Sequence, residues 1–331
     1  MFIVTGAGGL PRSTLLGIGA GIAAGALWGL VFLAPELAPE FLPIQLSAGR
    51  YLAYGLIAAL LVYPAWGRLR RHLGWQAWRA LVSLSLTGNI VYYLFLANAV
   101  QLGGVAMASI VIGLLPIAVT LVGSGDRDAV PLRRLLPSLL LSGAGLACIG
   151  WESLSASGPD SLAGLACAFG ALVSWTIFAV HNSRWLARIE GVSSHEWNLL
   201  VGVVTGLMAL VLAVPAFVLA PGQHTLPAWL QFGALVTAVA VLCSVVGNAL
   251  WNHASRALPL SLMGQMIVFE TIFAALYGFL WEARWPTGFE TAALVLLIGG
   301  VISCASAHRA EQLETRQASR RHANPRANKR G

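Results

Sequence analysis

Charge is scarce in this chain. Only 10% of its 331 residues are Asp, Glu, Lys or Arg, against about 25% in a soluble globular domain, which excludes an ordinary soluble fold. Its four cysteines, Cys148, Cys167, Cys243 and Cys304, form no C-x-x-C pair and no cluster with His. That argues against a disulfide framework and a zinc site, and no metal or cofactor is expected. No Walker A sequence occurs, so ATP is not the direct driver of any transport, and the glycines after Thr5 have no lysine to hold a phosphate. His195-Glu196 lacks the second histidine of a metalloprotease helix. Asp126, in Gly123-Ser124-Gly125-Asp126, has no second aspartate within the membrane to form a proteolytic pair. A cleavable signal peptide is not expected, because the first apolar segment is long enough to span a bilayer.

Apolar residues make up 57% of the chain. They fall into ten segments, at 15–34, 44–64, 80–98, 103–123, 135–151, 162–182, 197–219, 228–250, 259–281 and 288–307. About 20 apolar residues of helix cross a bilayer core about 30 Å thick. Alternate loops carry the basic residues: Arg12, then Arg68 to Arg79, Arg127 to Arg134, Arg184 and Arg188, Arg256, and the tail from Arg309 to Arg330. The opposite loops hold Glu36, Glu40, Glu152, Asp160 and Glu282, with Arg284 as their one basic residue. The positive-inside rule therefore puts both termini in the cytoplasm. Twelve Trp and 36 Gly suit a helical bundle, with Trp at interfaces and Gly at close helix contacts. The net charge of +7 is concentrated in the tail 308–331. We read that tail as a disordered cytoplasmic segment near anionic lipid, with no nucleic-acid partner.

The chain also reads as a duplication. A shift of 155 lays 96–116 over 251–271, matching a polar helix end, a very short turn (Gly103-Gly104 against Leu258-Pro259) and a helix rich in small residues. Trp28 and Phe32 answer Trp175 and Phe178, and Pro64 answers Pro215. Five spans per half is odd, so the second half is expected upside down relative to the first. The expected units are a first repeat over 1–151, an inverted repeat over 152–307 and the tail 308–331. The fold class is an all-α membrane protein of ten transmembrane helices.

This layout, with Trp28 and Trp175 in the first helix of each half, Arg50 in the second helix, Pro116 in the fourth and Glu270 in the ninth, resembles the drug/metabolite transporter superfamily of the EamA kind. Within it the chain looks most similar to bacterial exporters of aromatic amino acids (YddG-type). Thr271 stands where the family often has proline after the glutamate, so a proline hinge in the ninth helix is not carried over. The resemblance implies a carrier of the bacterial inner membrane, not an enzyme. It further implies efflux of small organic solutes, neutral and above all aromatic amino acids, by alternating access around a midplane cavity.

Polar side chains at bilayer depth are functional candidates. Ser85, Asn89 and Tyr93 share one face of the third helix; Ser244, Asn248 and Asn252 make the same stripe in the eighth, Asn89 mapping onto Ser244 and Tyr93 onto Asn248. They either line a shared cavity or tie helices together. Trp28 and Trp175 would supply a stacking wall if they are not interfacial, and Gln265 a hydrogen bond to substrate. Glu270, in mid-span, is structural and protonated, paired with a cation such as Arg50 or His253, or a carrier of the coupling proton. Arg50 lies two turns inside the outer edge, within snorkelling reach of it. The expected substrate site is thus Trp28, Asn89, Tyr93, Trp175, Ser244, Asn248 and Gln265, with Glu270 as the coupling or charge-stabilising group. One chain encloses such a site, so a monomer is expected. The alternatives are a multidrug carrier for cationic compounds on the same fold and, from another class, an intramembrane lipid-modifying enzyme.

Overall fold

A computed structural model describes residues 12–123, 132–155, 159–186, 188–219, 222, 224–257, 266 and 268–323. Among them every regular element is a helix. In chain order these are α1 (Arg12–Leu37), α2 (Pro43–Val62), the single turn α3 (Trp66–Leu69), α4 (Trp75–Ser85), α5 (Val91–Ile112), α6 (Leu115–Gly123), α7 (Leu132–Ser155), α8 (Pro159–Leu186), α9 (Ser194–Ala213), α10 (Leu226–Val239), α11 (Asn248–Ala257), α12 (Val268–Trp281) and α13 (Gly288–Ala323). Among the described residues six helical runs are long and apolar enough to cross a membrane, and 268–281 and 288–304 are shorter apolar helices. Leu56, Leu60, Leu140, Leu210, Val211 and Leu230 are exposed while Ser47, Ser85, Ser109 and Thr205 are buried. That inside-out polarity is what a lipid-facing surface requires.

Local chemistry sets the helix ends. Pro43 occupies the first turn of α2, where its missing N–H is no loss. Ser193 and Glu196 form a reciprocal capping box at α9, Glu196 N donating to Ser193 Oγ (3.2 Å) and Ser193 N to Glu196 Oε2 (2.9 Å). Thr287 and Glu290 repeat the arrangement at α13, at 3.1 and 2.8 Å. Helix α5 is interrupted at Gly104, with φ 82° and ψ 162°, a conformation that an L-residue rarely adopts. Before the interruption the chain lies along α8, Phe95 against Gly170 and Gly103 against Gly164. After it Val105 packs on Gly278 and Gly113 on Thr271. The chain therefore reverses at Gly104, at the expected short turn. Two departures follow. The span 103–123 is broken at Gly113-Leu114 ahead of Pro116, whose ring cannot continue a helix. Helix α13 also runs to Ala323, so the first part of the tail expected to be disordered is helical; its Ala, Glu, Gln and Arg are strong helix formers.

Among the described residues three runs of π-helix interrupt the bundle, at Leu86–Ile90, Val214–Leu219 and Ala240–Gly247. A π-turn frees backbone carbonyls from the α-helical ladder. Side chains of other helices use them: Ser174 Oγ donates to Thr87 O (2.7 Å), Tyr51 Oη to Asn89 O (3.0 Å), Gln45 Nε2 to Ala216 O (3.1 Å) and Trp28 Nε1 to Cys243 O (3.0 Å).

The main helix pairs are α2 with α9, α7 with α13, α5 with α8 and α1 with both α12 and α11. Small residues allow the close approaches, as they must where lipid tails are as apolar as leucine. Gly25 of α1 abuts the backbone of Glu270 and Gly29 that of Ala274. A Cβ built on Gly145 would sit 3.1 Å from Ala293 O, and one on Gly300 would sit 3.1 Å from Ser138 O.

Candidate functional site

Helices α1, α2, α5 and α12 and the π-turn at Ala240–Gly247 converge around Arg50 and Glu270. Arg50, on α2, is 8% exposed. Its guanidinium carbon lies 4.4 Å from the centre of the Tyr93 ring and 5.2 Å from that of Tyr51, so two aromatic faces hold the cation. It does not snorkel to the outer edge; those rings draw it into the protein. Its Nε and Nη1 are buried without a hydrogen-bond partner. Glu270, on α12, is half-buried and within electrostatic reach of Arg50. No hydrogen bond or ion pair to its carboxylate is found among the described residues. Tyr92 and Cys243 each lie within electrostatic reach of both charges.

The other expected site residues divide. Tyr93 is 1% exposed and edge-on to Tyr51, at 5.9 Å between ring centres. Trp28 is half-buried, bound to Cys243 O and packed at 5.1 Å against Trp251; it is held inside the bundle rather than at an interface. Cys243 returns the contact, its Sγ donating to Leu27 O at 3.0 Å. Ser244 and Asn248 are half-buried one turn apart beside this contact, and no hydrogen bond to either side chain is found among the described residues. Asn89 instead ties helices together, its Nδ2 donating to Thr205 Oγ1 at 2.9 Å. Trp175 is half-buried on α8 and packs on Phe178 at 5.6 Å, next to Ser174, which binds the first π-turn. Gln265 lies outside the described residues. Sequence reasoning gave no role to Tyr51 or Cys243. The signal for Tyr51 was its position next to Arg50 in a helix that also carries Tyr54.

Both ends of this region are fastened. At one end Arg68 pairs with Glu196 and donates to Gly191 O at 2.9 Å. Beside that pair lies an open pocket of about 350 Å³ lined by His72, Gln76, Trp185, Arg188 and Glu190; none of the expected site residues lines it. At the other end Phe41 stacks on Phe232 at 4.3 Å and on His224 at 4.0 Å. There too Arg284 makes a bidentate pair with Glu290, both bonds 2.6 Å, and a third bond of 2.5 Å to Glu282. Bonding to Glu290, reinforced by Glu282, holds the Arg284 guanidinium above its usual pKa.

The fold and this charged, aromatic centre define a polytopic helical membrane protein of the transporter class. Residues 15–151 match the EamA-like transporter family. The chain is 34% identical over 302 residues to "Inner membrane protein YtfF" of Escherichia coli (strain K12), an alignment covering 85% of this chain and 92% of that one. The protein therefore belongs to the EamA-like transporter family, within the drug/metabolite transporter superfamily. A solved crystal structure shares its fold, with a TM-score of 0.58 at 20% identity over 90% of this chain and 98% of that one.

Proposed function

We propose that the protein is a secondary carrier that exports small organic solutes, aromatic and neutral amino acids first, across a bacterial inner membrane. The carrying observation is the convergence of aromatic surface (Trp28, Tyr92, Tyr93) on side chains without hydrogen-bond partners among the described residues (Ser244, Asn248, Glu270). A flat apolar side chain needs a stacking wall, and a polar end needs groups not already satisfied by the protein. Trp175 and Gln265 complete the site when the halves rearrange, and Glu270 carries the coupling proton or stabilises the amino group.

Alternating access would come from ten helices in two inverted repeats, 1–151 and 152–307, with both termini cytoplasmic and the whole working as a monomer. The contacts of Gly145 with Ala293 and of Gly300 with Ser138 support this reading. A shift of 155 carries one pair onto the other, as a two-fold relation between halves demands. The stacked pairings agree: α2 on α9 and α7 on α13 each join equivalent helices of the two halves.

The test is uptake of labelled tryptophan and phenylalanine into vesicles containing only the purified protein. Lysine and a cationic dye serve as comparisons, each with and without a pH gradient. Saturable movement of the aromatic pair is expected. Movement of the dye alone would favour the multidrug reading, for which the lack of a partner at Glu270 also argues.

A further inference from the structure

We infer that Arg50 is the carboxylate-binding group of the transport site and that Glu270 is its ammonium-binding counterpart, so that the ligand is a zwitterion of the α-amino-acid type. The inference rests on the carrier reading above and deepens it by giving Arg50 a role.

A guanidinium buried with donors unmade is destabilising, and a fold keeps one where something else completes it. Two of the three nitrogens of Arg50, Nε and Nη1, are such donors. No carboxylate pairs with it among the described residues. The guanidinium carbon lies over the rings of Tyr93 and Tyr51, which stand edge-on to each other. The Tyr93 hydroxyl is a side-chain hydrogen-bond partner of Arg50, and Nε and Nη1 remain unmade beside it. A carboxylate is the acceptor that makes strong, charge-assisted hydrogen bonds with such donors. Neither tyrosine reaches Nε or Nη1, so these donors await an anion from outside the protein.

Glu270 supplies the opposite end. Its helix is fixed by the close approach of Gly25 and Gly29 on α1, while Arg50 sits on α2; both α2 and α12 pack on α5. The two charges feel each other but form no ion pair. Tyr92 and Cys243 are near both. A molecule carrying both a carboxylate and an ammonium would give each of them its missing partner, with its apolar part left for the aromatic rings. Neither a plain amine nor a plain acid would satisfy both ends.

The experiment is calorimetric binding to the purified full-length protein of phenylalanine, phenylethylamine (no carboxylate) and 3-phenylpropionate (no ammonium), in wild type, Arg50→Gln, Arg50→Lys and Glu270→Gln. In wild type phenylalanine should bind at least tenfold more tightly than either one-ended analogue. Arg50→Gln should weaken phenylalanine about tenfold or more and leave phenylethylamine unchanged. Glu270→Gln should do the reverse, sparing phenylpropionate. Arg50→Lys keeps the charge but loses the spread of donors over three nitrogens, and should fall between wild type and Arg50→Gln. Equal loss of phenylalanine and phenylethylamine in Arg50→Gln, or phenylethylamine binding wild type as tightly as phenylalanine, would overturn the assignment. The wild-type comparison decides the matter even if Arg50→Gln does not fold. Leucine binding better than phenylalanine would discard the aromatic preference and leave the two-ended site intact. Binding of a cationic dye with no response to any amino acid would overturn the zwitterion site and leave the carrier.

Discussion

Gly55 and Gly206 meet backbone to backbone where α2 crosses α9; a Cβ on Gly206 would lie 2.6 Å from the Gly55 Cα. No flexible side chain stands between them to give way, so the helices themselves must part to admit a larger residue. Gly206→Leu and Gly55→Leu are each expected to destabilise the protein by about 1–3 kcal/mol, lowering the melting temperature in detergent and abolishing transport. Gly233→Leu is the control, because a Cβ there meets nothing within 4 Å. If the three variants melt alike, the α2–α9 contact is not a structural keystone.

The turn at Gly104 offers a sharper comparison between neighbours. Gly104 has positive φ, whereas the one close contact of a Cβ on Gly103 is the flexible end of Met107, with the Gly164 backbone at an ordinary 3.6 Å. Gly104→Ala should lose about 1 kcal/mol or more through backbone strain, and Gly103→Ala markedly less. Thermal melting of the two single variants measures the difference. Equal loss would mean that crowding, not conformation, selects glycine at this turn.

That turn was legible in the sequence as a glycine pair between two apolar segments, because a bilayer imposes helix length and apolarity residue by residue, whereas the break at Gly113-Leu114 in the second segment was not. That Glu270 stands within an apolar run was legible for the same reason. Direction was not. Spacing puts Asn89 and Tyr93 on one face of a helix, but what covers that face is set by α9, and Thr205 takes Asn89 while Arg50 sits against Tyr93. Arg50 near the edge of its span is equally compatible with snorkelling outward and with stacking inward; the Tyr51 and Tyr93 faces decide it. The π-turns left no trace in hydropathy, since adding a residue to a helical turn changes hydrogen bonding but not composition. The helix beyond residue 307 was missed because a polar composition carries no apolar period.

Trp28 tests whether a π-turn carbonyl matters. Trp28→Phe keeps an aromatic ring beside Trp251 and removes the donor to Cys243 O. Leaving that acceptor unmade should destabilise by about 1–3 kcal/mol. Phenylalanine binding should weaken less than the melting point falls, since stacking survives. A variant with wild-type melting would show that the carbonyl finds another donor.

Arg68 and Glu196 join the turn α3 to the start of α9, two segments that must separate if that end opens. Arg68 is about half exposed, so the pair itself contributes at most about 1 kcal/mol to stability. Its effect should be on rate. Glu196→Gln keeps an oxygen to accept from Ser193 N and so preserves the cap, yet removes the charge. Arg68→Gln and Glu196→Gln should each raise initial exchange several-fold with little change in melting, the double variant should add nothing further, and the difference should shrink at high salt. Unchanged rates in both single variants would make the pair a bystander.

At the opposite end Glu290 serves two structures at once. Its Oε2 caps α13 by accepting from Thr287 N, and both oxygens take the fork of Arg284. Thr287 Oγ1 in turn donates to Glu152 on α7 at 2.9 Å. Glu290 is 5% exposed, so removing the cation leaves a carboxylate that water cannot solvate. Arg284→Gln should therefore destabilise by about 1.5–3 kcal/mol, the range for hydrogen bonds to a charged group, even though Arg284 itself is 38% exposed on its side chain. Adding Glu290→Gln removes the stranded charge while keeping an oxygen for the cap, and should restore part of the loss. Arg284→Lys cannot make the bidentate pair and should behave more like Arg284→Gln than like wild type. The melting temperatures of the three variants in detergent decide it: an Arg284→Gln protein as stable as wild type would mean that water or lipid headgroups reach Glu290, and the network is then not a structural clamp.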